Sequence, residues 1–172
     1  MTLKIINNYL LEHDFKIVKN HVDSMNHNWT FTPKLNDNAK SEHDFQFGHG
    51  YIENGKSLYE GAERIPLAIT MPYAQSLSTD FTIFRARTNL FIRTRRFSFF
   101  RGMGYHTDMD DKTLFTLLFY LEDSNGGTQF KDGGKIIRSK RNRAIIFPAH
   151  WEHQTVAQTD RLFRTNININ FR

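Results

Sequence analysis

Two histidines and one aspartate have the residue types and the spacing of a metal centre. His106 and Asp108 stand two positions apart, and in an extended strand such residues point to the same face. An imidazole and a carboxylate on one face can bind the same ion, and His153 is the candidate for a third ligand. Such a set leaves three adjacent coordination positions open, as non-haem iron chemistry requires. We therefore predict a metal site made by His106, Asp108 and His153.

Alternatives exist for this assignment. His150 competes with His153 as the third ligand, and we favour His153 because it directly precedes a predicted strand. The spacing also occurs at His21 and Asp23, inside a predicted helix, where residues two apart do not face each other. We interpret that second copy as surface. The alternative interpretation of His106 and Asp108 is a hydrogen-bonded pair at the surface.

The C-terminal segment alternates between an apolar and a polar face. Its polar face would carry Arg164, Asn166, Asn168 and Asn170, and its apolar face Ile167, Ile169 and Phe171. Such a polar face fits a strand that lines a cavity holding an anion. Arginine offers a planar, permanently charged fork for a carboxylate, so Arg164 is the candidate anion clamp. Arg161, at a predicted turn, is the alternative.

The remaining pattern predicts a mainly β domain that positions these residues. A strand at Lys4–Asn7, a helix over 12–25, irregular strands and loops over 28–53 and a helix from about 65, limited or bent by Pro72, come first. Predicted strands then follow at 81–93, 95–100, 114–121, 127–131, 135–139, 144–147, 154–157 and 163–171. Short strands at this spacing suggest a sandwich, jelly roll or barrel. We expect one domain over 1–172, with 1–79 as support and 80–172 as the core carrying the site.

Composition narrows the class of protein. The chain has 172 residues and a net charge of +5, and its 16 Phe and 6 Tyr favour strands. The absence of Cys excludes disulfides, thiolate metal sites and a cysteine nucleophile. No apolar run is long enough to span a membrane and the N-terminal residues carry no signal-peptide pattern. We therefore expect a cytoplasmic protein without a membrane partner.

The order of the motifs resembles a known family. That order is His-x-Asp at 106–108, Phe119-Tyr120-Leu121, Gly-Gly-Thr-Gln-Phe at 126–130, Ile-Ile-Phe-Pro at 145–148, His153 and Arg164. It is similar to the iron(II)/2-oxoglutarate-dependent oxygenases of the prolyl 4-hydroxylase type, in the short format of phage and bacterial members. The resemblance covers residues 80–172. It implies a double-stranded β-helix, or jelly roll, with N-terminal helices packed against it.

The resemblance also implies an activity. Fe(II) would be held by the three predicted ligands, and O2 and 2-oxoglutarate would be the cosubstrates of a C–H hydroxylation. Residues implied to contact 2-oxoglutarate are Arg164, Tyr120, Asn89 and Asn166. The substrate would be a peptidyl residue such as proline, by analogy. The alternatives are an oxygenase of a nucleobase or free small molecule, and a non-catalytic metal-binding jelly-roll module.

A basic stretch precedes the His-x-Asp motif. It contains Arg85, Arg87, Arg93, Arg95, Arg96 and Arg101, which could steer an acidic or nucleic-acid substrate or could simply be solvated. Arg87 would share a face with Asn89, so we predict Arg87, together with Asn168, as a substrate contact. The segment 91–105 contains Gly102 and Gly104, which makes it a candidate lid.

Overall fold

The computed structural model describes residues 2–24, 26–39, 41–77, 81–93 and 102–172. The elements in these ranges are, in chain order, β1 (Lys4–Asn7), α1 (Glu12–Asp23), β2 (Thr30–Thr32), β3 (Gln46–Glu53), β4 (Lys56–Ser57), α2 (Arg64–Leu77), β5 (Ile83–Ile92), β6 (Phe115–Tyr120), β7 (Gly127–Phe130), β8 (Ile136–Arg138), β9 (Arg143–Pro148), β10 (His153–Val156) and β11 (Phe163–Phe171). Neither helix of the described ranges has the length and apolar character needed to cross a membrane.

The strands form two antiparallel sheets. The larger has the order β1-β9-β6-β11-β5-β3-β2, with β4 beside β3, and the smaller has the order β10-β7-β8. Isolated bridges from Gly102 to Val156 and from His106 to His153 place the segment 102–106 beside β10. From β5 onward the chain therefore alternates between the larger sheet, at β5, β6, β9 and β11, and the smaller layer, formed by the segment 102–106 with β7, β8 and β10. This is a jelly roll, and the predicted fold class is confirmed.

The N-terminal part of the chain completes the larger sheet. At one edge β1 pairs with β9 in the register Lys4 to Ile146. At the other edge β3 pairs with β5 in the register Phe47 to Leu90. Strands from both sides of the expected division at 79/80 are thus neighbours in one sheet.

The alternation of the strands separates two environments. The outer face of the larger sheet packs against the two helices and forms one hydrophobic core with them. The members of this core include Phe15, Val18 and Val22 of α1, Ile65, Ile69 and Tyr73 of α2, and Leu117, Phe119, Ile167 and Ile169 of the sheet. Burying each large side chain stabilises the fold by about 1.5–3 kcal/mol. Because the helices cover the outer face, the inner face, toward the smaller sheet, remains for a ligand cavity.

Some boundaries differ from those predicted. Helix α1 ends at Asp23, and Met25 lies outside the described residues. Pro72 does not end α2, which continues to Leu77. Proline removes one backbone donor, but Ile69 and Tyr73, buried on either side of it, anchor the helix to the core. The strand predicted at 95–100 lies outside the described residues.

Candidate metal and anion site

The three predicted metal ligands lie together between the sheets. The backbones of His106 and His153 exchange hydrogen bonds of 2.9 Å in both directions, which sets their rings side by side with centroids 4.7 Å apart. The backbone N–H of Asp108 donates to Ala149 O at 3.0 Å. One ligand atom from each of the three residues lies within 4.8 Å of the others. Two imidazoles and a carboxylate at such separations suit a divalent cation.

Burial and hydrogen bonds orient the two imidazoles. His153 is 5% exposed, and its Nδ1 donates to Trp151 O at 2.9 Å, so that Nε2 faces Asp108 Oδ2 at 3.7 Å. Nδ1 of His106 lies 3.1 Å from Asn36 Nδ2 and 3.3 Å from a backbone carbonyl of its own loop. Burial, and then the nearby His153, lower the pKa of His106, against the opposing charge of Asp108. Both rings therefore offer Nε2, and His106 is neutral at pH 7, as a metal ligand must be.

A polar network holds the carboxylate of Asp108. Thr116 Oγ1 donates to Oδ2 at 2.7 Å and Asn168 Nδ2 donates to Oδ1 at 3.0 Å. Arg85 Nη2 lies 3.6 Å from Oδ1, and its Nε donates to Asn170 Oδ1 at 3.0 Å. Burial acts to raise the pKa of this carboxyl, but the two imidazoles and the Arg85 guanidinium outweigh it and lower the pKa to about 2. The group is therefore ionised and fixed in orientation.

Arg164 is a buried cation that lacks a counterion. The residue is 0% exposed, and its Nε, Nη1 and Nη2 have no hydrogen-bond partner among the described residues. Its guanidinium carbon stacks 4.6 Å from the centroid of the Phe91 ring. Burial lowers the pKa of this guanidinium, whereas Tyr120 and two carboxylates act to raise it. A buried charge without a partner is costly, so this position suits an anionic ligand.

The other predicted cosubstrate contacts line the space between Arg164 and the metal ligands. Asn166 lies opposite both Asn89 on β5 and Tyr120 on β6, and Asn89 Nδ2 donates to Asn166 Oδ1 at 3.0 Å. Asn89 Oδ1 is buried without a partner in the described part of the chain. The hydroxyl of Tyr120 donates to Thr128 Oγ1 at 2.7 Å. Burial raises the pKa of Tyr120 to about 12, so the phenol is neutral.

The two predicted substrate contacts face each other across β5 and β11. Asn168 pairs in register with Arg87. The amide nitrogen of Asn168 binds Asp108, so this side chain supports a predicted metal ligand directly. Arg87 is half-buried, and its Nε is buried without a partner among the described residues.

The alternative residues lie elsewhere. His150 lines a surface cavity of about 1130 Å³, whose wall also contains Leu3 and Ile5 and none of the three predicted ligands. Arg161 Nη1 donates to Asp123 O at 2.6 Å near the surface, away from the inner face. The second His-x-Asp pair lies on α1, where its aspartate forms an ion pair with a lysine one turn away. The candidate lid over 91–105 cannot be followed, because 94–101, with Arg95, Arg96 and Arg101, lie outside the described residues.

Sequence reasoning missed three supporting residues. Asn36 approaches His106 from a loop seventy residues earlier in the chain, and no local pattern indicates this contact. Thr116 belongs to a strand that looks apolar throughout, and only its inner-face position reveals its role. The alternation of the strand puts Arg85 on one face with Arg87 and Asn89, but its contact with Asp108 was not predicted.

No family model matches the chain, and no curated protein matches it either. Solved structures do. An oxidoreductase of the 2OG-Fe(II) oxygenase family from Burkholderia pseudomallei is 12% identical with a TM-score of 0.68, over 98% of this chain and 84% of that one. A prolyl hydroxylase of Trichoplax adhaerens, in complex with a hypoxia-inducible factor peptide fragment, is 12% identical with a TM-score of 0.65, over 98% and 82%.

A third structure holds a small molecule. It is the epimerase SnoN in complex with Fe3+, alpha ketoglutarate and nogalamycin RO, and it is 9% identical with a TM-score of 0.67, over 98% of this chain and 78% of that one. At these identities the likeness establishes the fold. The chain therefore has the jelly-roll fold of 2-oxoglutarate/Fe(II) oxygenases, and within that fold a His-Asp-His cluster whose geometry fits an iron site.

Proposed function

We propose that this protein is an Fe(II)- and 2-oxoglutarate-dependent oxygenase. One observation carries the proposal: a fully buried arginine, whose three guanidinium nitrogens have no partner among the described residues, lies on the same face of β11 as Asn168, which binds the carboxylate of a two-histidine, one-carboxylate cluster. A metal site alone would suit many proteins. A metal site combined with an unneutralised cation on the same inner face suits a metal-bound diacid, which 2-oxoglutarate is.

The donor set fits the proposed iron and cosubstrate. His106, Asp108 and His153 would hold Fe(II), which together with 2-oxoglutarate and O2 would supply the oxidising power for hydroxylation of a C–H bond. Arg164 would pair with the distal carboxylate of the diacid, and Asn166 would line the path between. The charges also balance, because Fe(II) with one aspartate carries +1, the arginine carries +1 and 2-oxoglutarate carries −2.

The residues of this chain would do the positioning. The backbone carbonyls of Trp151 and Gly104 would accept from Nδ1 of the two histidines and so fix the rings with Nε2 free, and Thr116 and Asn168 fix the carboxylate. Such supporting hydrogen bonds change metal affinity about 10–100-fold when removed. The stacked ring of Phe91 keeps water from the face of the guanidinium, so that a carboxylate would pair there in a medium of low polarity.

An anaerobic titration tests the proposal. Fe(II) and 2-oxoglutarate added together should produce a weak visible charge-transfer band that neither produces alone, and air should then yield succinate. Asp108→Ala should abolish both signals while the circular dichroism spectrum stays that of the wild type. Asp110→Ala, the same change on an exposed neighbour, is the matched control and should keep both. A folded wild-type protein without the band, or turnover by Asp108→Ala, would contradict the proposal.

The substrate proposed is a peptide or a small molecule, with a peptidyl proline as the first case to assay. Support comes from two neighbours, one in complex with a peptide fragment and one with nogalamycin RO. Uncoupled turnover of 2-oxoglutarate, measured with peptide and small-molecule panels, decides between the two classes. We also propose that residues 1–172 form a single functional unit. We further propose that the protein is cytoplasmic, which fractionation of cells that express a tagged chain tests.

A further inference from the structure

One inner-face cation is left over after the proposed ligands are assigned. Arg87 lies on β5 between Arg85, which reaches Asp108, and Asn89, which reaches Asn166. Residues two apart on a strand share a face, so Arg87 also faces the interior. Its register partner on β11 is Asn168, the residue that binds Asp108 Oδ1. Arg87 is therefore a neighbour of the metal ligands.

No described group satisfies this guanidinium. Its Nε is buried without a hydrogen-bond partner, and Arg87 forms no salt bridge shorter than 4.0 Å within the described ranges. The side chain as a whole is only partly buried, so part of it remains accessible to a ligand. A half-buried arginine with open donors is suited to grip an oxyanion through two parallel hydrogen bonds.

The charge balance of the inner face also favours an additional anion beside Arg87. Three arginines, namely Arg85, Arg87 and Arg164, face one carboxylate, Asp108, on this wall. The metal ion and 2-oxoglutarate would bring equal and opposite charges, so that two positive charges remain. Arg85 is partly neutralised by Asp108 at 3.6 Å. The exposed Glu53 is the other carboxylate whose charge reaches Arg87, and it forms no ion pair with it. A further anion is therefore favoured beside Arg87.

Distance along the strand separates this position from the cosubstrate clamp. Phe91, which stacks on Arg164, lies four residues from Arg87 on β5. At about 3.3 Å per residue the two positions are ~13 Å apart. Arg87 therefore stands on the part of β5 opposite Asn168, beside the proposed metal ligand Asp108, and not on the part beside Arg164, which would hold the distal carboxylate of 2-oxoglutarate.

We infer that Arg87 binds an oxyanion, a carboxylate or a phosphate group, of the primary substrate next to the iron. The inference rests on the proposed function. It narrows the substrate class to molecules or peptide segments that carry such a group within reach of the oxidised carbon. Arg87 would then act as a specificity-determining residue, because an uncharged analogue of the substrate would leave its guanidinium unpaired.

Calorimetric titration of the full chain tests this inference without turnover. The protein is loaded with Ni(II) and excess 2-oxoglutarate, so that Arg164 is occupied, and is titrated with acetate, methyl phosphate and neutral acetamide. We expect saturable binding of at least one of the two anions, which also identifies the preferred group, and none of acetamide. Arg87→Gln should weaken anion binding at least tenfold, and Arg87→Lys should weaken it less. Arg161→Gln is the matched control and should bind as the wild type does.

A separate titration with 2-oxoglutarate keeps the outcomes distinct. Arg87→Gln should change 2-oxoglutarate affinity less than twofold. A loss as large as that of an Arg164 variant would assign Arg87 to the cosubstrate and overturn the inference. Anion binding that is absent from the wild type, or unchanged in Arg87→Gln, would overturn it as well. Failure of the wild type to bind 2-oxoglutarate would instead contradict the oxygenase proposal, since the anion titration is a separate measurement.

Discussion

Replacing Arg164 with methionine should change stability and ligand binding in opposite directions. In the protein without ligand, the guanidinium is 0% exposed and has no hydrogen-bond partner among the described residues. Its compensation is the stacking on Phe91 at 4.6 Å, which is worth about 0.5–2 kcal/mol, whereas an uncompensated buried ion costs several. Methionine keeps the length without the charge. We therefore expect the ligand-free variant to be more stable than the wild type by about 1–3 kcal/mol.

The effect on 2-oxoglutarate should be a large loss. Breaking a buried charge pair by removing one partner costs about 3–5 kcal/mol, because the other charge is left uncompensated. At about 1.4 kcal/mol for each factor of ten, the dissociation constant should rise by two to four orders of magnitude. Binding of the metal should change little, since Arg164 forms no hydrogen bond with His106, Asp108 or His153.

Thermal unfolding of the Ni(II)-loaded protein measures both effects. At a hundred times its dissociation constant, 2-oxoglutarate should stabilise the wild type by about 2.7 kcal/mol, which corresponds to about 5–11 °C for a chain of this length. Arg164→Met should unfold at a higher temperature than the wild type without ligand and should gain less than about 0.5 kcal/mol at that concentration. Arg161→Met, near the surface, should keep the wild-type gain. A variant that unfolds several degrees lower and keeps its ligand-induced gain would refute the reasoning.

Two further changes have defined outcomes. Thr116→Val removes the hydroxyl that donates to Asp108 Oδ2, so metal affinity measured by titration should fall about 10–100-fold. Thr116→Ser keeps a hydroxyl and should restore the affinity. Equal metal affinity in the two variants would show that the hydroxyl does not support the metal site. Burial, then His49 and His21, lower the pKa of His27 to about 4. The unfolded chain therefore binds this proton first, and the free energy of unfolding should fall by about 3 kcal/mol between pH 7 and pH 4. His27→Gln should flatten that fall in denaturant titrations, and an unchanged slope would contradict the assignment.

Local pattern was sufficient for much of the fold. The strand over Phe163–Phe171 was predicted with its observed bounds because Ile167, Ile169 and Phe171 alternate with polar side chains. The same alternation put Arg164 and Asn168 on one face before any contact was known. Pro72 was predicted to limit or bend α2; it does not end the helix, which continues to Leu77, and the bend stays a prediction.

Within the site, the sequence predicted which side chains could bind a metal but not which residues contact them. His106 and Asp108 share a face through a spacing of two, which is a local property of an extended chain. His153 was preferred to His150 because it directly precedes a predicted strand, whereas the pairing of His153 with His106 is a long-range contact that only the structure shows. Asn36 contacts His106 and Thr116 contacts Asp108, and no spacing in the sequence predicts either contact.

What the sequence determined by itself is therefore the identity and the facing of the reactive groups, because both follow from side-chain type and from the two-residue repeat of a strand. What only the tertiary structure decided is which of those groups are left without a partner. Arg164 and Arg87 both lie on polar strand faces, yet Arg164 is completely buried and Arg87 is only partly buried. Whether a charge is satisfied depends on every element packed around it, and sheet register, not local sequence, sets that packing.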